Sequence, residues 1–127
     1  MSNATIQLPN IPQGWFMHFD LFTQSGANTC VTLKDSVATY INNACQQSTS
    51  PVPPLAQGFV QVQGTNLEME VASSSSSPLK FRLDPVQVNH PSTQEVIATG
   101  YVIFMEDWTD NDFNDLAGTL LAWKTRG

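Results

Sequence analysis

Positive charge is scarce in this chain. Five Lys and Arg stand against eleven Asp and Glu, leaving a net charge of −6 with His neutral. That balance weighs against nucleic acid and anionic membrane as partners, because both call for basic patches. No stretch reaches the roughly 18 apolar residues that a helical span requires, so membrane insertion is not expected. The opening Met1-Ser2-Asn3-Ala4-Thr5 has neither the basic start nor the apolar run of a secretory signal. Either the chain is made without a cleaved leader or a leader lies outside this sequence; cytoplasmic synthesis is the expectation, with later release or surface association left open. Helical periodicity is missing throughout. The two cysteines, Cys30 and Cys45, are too few for a disulfide framework.

What remains suits strands. Charged residues make up 13% of the 127 positions and hydrophobic residues 41%, with much Thr, Ser, Gln and Asn. This is one domain, residues 1–127, large enough for a single core. Residues 15–22 alternate, with Trp15, Met17, Phe19 and Leu21 on one face and His18 and Asp20 on the other. Thr23 to Asn28 reads as a polar turn, and residues 29–33 and 37–41 as two arms turning at Asp35-Ser36. That turn would set residue 30 opposite about 41, so buried free thiols are expected in place of a Cys30–Cys45 bridge. Residues 42–56, with Pro51, Pro53 and Pro54, read as a loop. Residues 58–63 and 66–71 look like a hairpin around Gly64-Thr65. Lys80 and Arg82 then face Glu68 and Glu70 across neighbouring strands. Asp84-Pro85 reads as a bend, and residues 95–105 and 116–123 are the most apolar runs. About nine short strands with regular turn signals predict an all-β fold, an antiparallel β-sandwich.

Joining the last two runs is Glu106-Asp107-Trp108-Thr109-Asp110-Asn111-Asp112-Phe113-Asn114-Asp115, which holds five of the eleven acidic residues and no Lys or Arg. Asp110, Asp112 and Asn114 put oxygen donors at alternate positions, as calcium loops do. The EF-hand pattern fails, because Asp115 stands where its glycine belongs and Leu121 where its glutamate belongs. Carboxylate and amide oxygens without His or Cys still select a hard cation such as Ca²⁺. Five carboxylates suit two ions better than one. A solvated acidic turn, or a glycosidase using two of the carboxylates as acid and nucleophile, are the other readings.

The ten-residue segment resembles the EDGTDNDYND signature of the calcium-mediated bacterial lectins of the LecB type, which bind fucose and mannose. It departs only at Trp108, where that signature has Gly, and at Phe113, where it has Tyr. Ala4-Thr5-Ile6-Gln7-Leu8-Pro9 is similar to that family's first strand, and Phe22-Thr23-Gln24-Ser25-Gly26 to its FANSSG loop. Residues 42–95 align poorly. The resemblance implies a nine-stranded sandwich forming a homodimer or homotetramer, with two Ca²⁺ ions per site that sugar hydroxyls coordinate. It implies no enzyme. Glu106, Asp110, Asp112, Asn114 and Asp115 would be calcium ligands, and Asp107 would accept a hydrogen bond from a mannose- or fucose-type saccharide on a glycan.

Thr23 falls on an Asn ligand of the family, a tolerable change if the main-chain carbonyl is the donor. Gln24, Ser25 and Gly26 fall on its specificity loop, and the Gly127 carboxylate would reach a partner's metal site. The tail after Trp123 has one residue more than the family's WPLG, and a bulge near Gly118 is one way to restore register. Trp108 would wall the sugar site with its indole or pack on its own loop or a subunit contact.

Overall fold

Period-two burial builds this molecule strand by strand. The computed structural model describes residues 1–50, 53–106 and 115–125. Among them run nine strands: β1 (Ser2–Gln7), β2 (Phe16–Thr23), β3 (Ser25–Lys34), β4 (Thr39–Ser48), β5 (Ala56–Gln61), β6 (Glu68–Ser73), β7 (Lys80–Asn89), β8 (Val96–Glu106) and β9 (Leu116–Trp123). They form two antiparallel sheets, ordered β1-β6-β3-β4 and β5-β2-β9-β8-β7. Met17, Phe19 and Leu21 of β2 and Ile103 and Met105 of β8 face Val31 and Leu33 of β3 and Met69 and Val71 of β6, all buried. Burying each such side chain contributes about 1.5–3 kcal/mol, so a one-residue slip that turned a strand's set outward would be prohibitive. The all-β sandwich is therefore as expected.

Pairing departs from expectation in several places. Residues 58–63 and 66–71 are not two arms of a hairpin. β5 pairs with β2, whereas β6 lies between β1 and β3 in the other sheet. The connection carries Val62 and Leu67, 1% and 3% exposed, across the end of the core. It is tied to the β3–β4 turn, where Thr65 N donates to Ser36 Oγ at 3.0 Å and Ser36 N to Thr65 O at 2.9 Å. Alternation marks which face of a strand is buried, not which strand it joins.

Consequently Lys80 and Arg82 do not face Glu68 and Glu70. Lys34 does, at 3.9 and 2.9 Å, while Arg82 meets Asp84 of its own strand at 3.2 Å. Asp84-Pro85 makes no bend either. β7 runs through it as an edge strand, where a missing backbone donor is tolerated. Nor is there a bulge at Gly118, whose pairing with Leu21 on one side and Ile103 on the other is in unbroken register.

The cysteines are not free thiols: Cys30 and Cys45 are disulfide-bonded. The strand break after Lys34 is longer than a turn at Asp35-Ser36 alone, so Lys34 pairs with Thr39. Two further register shifts, between Lys34 and Leu33 and between Leu33 and Val31, move the partner of residue 30 along β4 to residue 45. Asn43, with φ of 48°, lies in the second irregularity, and its N donates to Thr32 Oγ1 at 3.1 Å. β4 thus reaches Ser48 and takes in the first part of the expected 42–56 loop. The bridge lies on the outer face, with Cys45 exposed.

At the closed end of the sandwich Asp35 accepts from Val37 N and Ala38 N at 2.8 Å, from Gly64 N at 3.0 Å and from the Tyr40 hydroxyl. Burial pushes the Asp35 carboxyl up, but the Tyr40 and backbone hydrogen bonds outweigh it and hold the group below its ordinary 3.8. Burial and the bond to Asp35 push Tyr40 from 10.0 up to about 12. With the folded value depressed, Asp35 stabilises fully above about pH 4 and loses that contribution as pH falls through the folded value. With its folded value raised, Tyr40 stabilises below pH 10 and loses its contribution as pH rises towards 12. Asp35→Asn should lose about 2 kcal/mol by urea unfolding at pH 6, a gap that narrows at pH 2.5. An equal gap at both pH values would contradict this assignment.

Candidate functional site

The acidic segment joins β8 to β9, two central neighbours of the five-stranded sheet. Its two ends are described. Met105 pairs with Leu116, and Asp115 N also donates to Met105 O at 3.0 Å. Glu106 follows the inward-facing Met105 and so occupies the outward register, opposite Lys80. Its side chain is nonetheless completely enclosed, at 0% exposure, and Asp115 is 6% exposed. Taking ionised carboxylates out of water is costly unless donors or a cation compensate.

The corner between β2 and β3 adjoins one of these two residues, Asp115, through its backbone. Thr23 pairs with Leu116, and Gln24 N donates to Asp115 O at 3.2 Å. At Gln24 the chain leaves the five-stranded sheet and enters the four-stranded one, a tighter passage than the expected 23–28 turn. Ser25 is buried, and its Oγ accepts from Ala27 N at 3.0 Å. A Cβ on Gly26 would meet nothing within 4 Å, so the corner presents an open face there. The structure therefore brings together Glu106, Asp115, Thr23, Gln24, Ser25 and Gly26. Asp107, Trp108, Asp110, Asp112, Asn114 and Gly127 lie outside the described residues.

Two residues of the site's frame lay hidden in the stretch read as loop. Gln46 of β4 reaches across the sandwich, its Oε1 accepting from Thr23 Oγ1 at 2.6 Å while its Nε2 donates to Pro53 O at 2.6 Å. Gln47 Nε2 donates to Gly26 O at 2.6 Å. No local pattern announces either, since each depends on how β4 registers against β3. Thr23, Ser25, Thr29 and Ser73 make this end of the interior polar, all buried, whereas Leu8, Ile11, Val62 and Leu67 plug the opposite end.

The donor set fits a hard cation. Glu106 and Asp115 offer only oxygen, and both histidines stand elsewhere: His18 on β2 opposite Phe59, and His90 in the β7–β8 turn, where Nδ1 accepts from Ser92 N and Thr93 N. Among the described residues no group of three or more His, Cys, Asp or Glu gathers. Thr23 is wholly buried with its hydroxyl bonded to Gln46, which leaves its carbonyl as the group a cation would use.

By sequence, no protein-family model and no curated protein matches the chain. By structure, it is similar to bacterial lectins. A high-affinity mannose-binding lectin of Ralstonia solanacearum superposes with a TM-score of 0.69 at 15% identity, over 94% of this chain and 96% of that one. The Chromobacterium violaceum lectin CV2L, solved with alpha-methyl-fucoside, gives 0.66 at 16% identity, over 94% and 96%. The C-terminal domain of the BC2L-C lectin from Burkholderia cenocepacia gives 0.65 at 14% identity, over 98% and 99%. At such identities the likeness establishes the fold, end to end.

Proposed function

We propose that this protein is a non-catalytic, calcium-dependent lectin for monosaccharides of the mannose or fucose type. The observation that carries the reading is that two enclosed acidic residues, Glu106 and Asp115, stand at the same end of the sandwich as the open 23–26 corner, which is bonded to the Asp115 backbone. The lectin fold of the structural neighbours supports it. Glu106, Asp110, Asp112, Asn114 and Asp115 would hold two Ca²⁺ ions, with Thr23 contributing its carbonyl. Bound calcium supplies coordination positions that a sugar's neighbouring hydroxyls fill in place of water. The chain itself orients the sugar, through Asp107 as acceptor, Trp108 as an apolar wall and Gln24, Ser25 and Gly26 as the facing edge.

Self-association into a homodimer or homotetramer belongs to the same proposal, with Gly127 of one copy completing the site of its neighbour and multivalency raising avidity for glycan surfaces. The Cys30–Cys45 bridge supports a working place outside the reducing cytosol, released or surface-associated. Calorimetry with mannose and fucose, in Ca²⁺ and in excess chelator, tests the function, and sedimentation of the same sample reads the oligomer. Saturable binding in Ca²⁺ alone is expected. Binding unaffected by chelator removes the calcium, while a melting temperature lowered by chelator without binding of any sugar leaves a merely calcium-stiffened sandwich.

A further inference from the structure

We infer that Gln46 and Gln47, pinned by the Cys30–Cys45 bridge, set the position of the 23–26 corner and thereby the choice of sugar. This rests on the lectin reading of that corner. The corner has little ladder of its own. After Ser25 pairs with Ser48, the β3–β4 register is interrupted until Thr29 pairs with Gln46. What holds its sides is side-chain chemistry from β4: Thr23 Oγ1 donates to Gln46, and Gln47 Nε2 donates to Gly26 O, each at 2.6 Å. The Gln46 amide cannot turn round freely, because its Nε2 is bonded to Pro53 O. The two glutamines therefore clasp the corner from both faces of one strand, Gln46 within the sandwich and Gln47 outside it.

That clasp works in one register only. A slip of β4 by one residue would exchange the faces of residues 46 and 47, withdrawing both bonds. β4 is exposed to such slippage, as it is an edge strand whose pairing with β3 shifts between Lys34 and Leu33 and again between Leu33 and Val31. The covalent tie from Cys30 to Cys45 sits one step before Gln46, beyond both of those shifts. It fixes the register where the clasp needs it. Through Gln24 N on Asp115 O, the same corner abuts the acidic segment. Gln46 and Gln47 are thus positioning residues, acting through residues 23–26.

The test compares wild type, Gln47→Met and Cys30→Ala/Cys45→Ala. Amide hydrogen exchange at Gly26 and Ala27 should quicken in both variants while the β8 and β9 core amides stay protected. With methyl α-mannoside and methyl α-fucoside, affinity should fall roughly three- to ten-fold and the ratio between the two sugars should change. In Gln47→Met calcium affinity should hold, as neither a proposed ligand nor the Gln46 bond to Thr23 is altered. If the double cysteine variant fails to fold, Gln47→Met carries the test alone. Unchanged exchange at the corner overturns the inference whether or not the wild type binds sugar. So does an unchanged sugar ratio where it does. A wild type that binds neither sugar defeats the lectin reading separately, and the exchange result still decides the clasp.

Discussion

Gly118→Ala should remove a large share of the fold's stability. A Cβ there would stand 2.0 Å from Asp20 O and 2.9 Å from Leu21 Cα, both backbone of the paired strand β2. Unlike a side chain, those atoms have no rotamer to escape into. β9 is held between β2 and β8, so moving it away breaks ladder bonds on one side or the other. Gly100 repeats the arrangement one strand along, with an added Cβ 1.9 Å from Leu120 O. Either substitution should cost upwards of about 4 kcal/mol, a large share of the roughly 5–15 kcal/mol that holds a domain together. Urea melts of Gly118→Ala and Gly100→Ala read this directly. Gly26→Ala is the control, since its Cβ would point into open space and its φ is not in the left-handed region, so its midpoint should stay near wild type. A folded Gly118→Ala protein with the wild-type midpoint would mean that the close approach is wrong.

Glu106→Gln should abolish calcium-dependent sugar binding, by about 100-fold or more, while the sandwich survives. The amide keeps the shape of the side chain and removes its charge. Even partners that only orient metal ligands are worth 10- to 100-fold in affinity, so a directly coordinating carboxylate should exceed that. The stability effect has a calcium dependence that identifies the cause. Calcium bound to the native state stabilises only the protein that binds it, so the wild type should gain melting temperature on going from chelator to Ca²⁺ and the variant should gain far less. Wild-type affinities for calcium and sugar in the variant would remove Glu106 from the site.

The unequal legibility of this molecule has a physical source. Strand β9 could be read from residues 116–123 with its bounds unaltered, and the inward set Met17, Phe19 and Leu21 from alternation, because period two is a property of one strand and its two environments. The acidic segment was equally plain, since it is contiguous and its donor chemistry needs no partner strand to be recognised. Lys34 taking the place of Lys80 and Arg82 opposite Glu68 and Glu70 was not readable, as alternation is silent on which strand lies alongside. Nor was the disulfide, whose register depends on how the shifts between Lys34 and Val31 accumulate.

By itself, then, the sequence determined that the chain is an all-β sandwich and that oxygen donors crowd one short segment, residues 106–115. Local period and residue chemistry suffice for both. Only the tertiary structure decided that Glu106 and Asp115 are enclosed, that the 23–26 corner is bonded to the Asp115 backbone, and that Gln46 and Gln47 clasp that corner. Those facts come from pairings across tens of residues, whose register is set by the summed burial of whole sheets and not by any one segment.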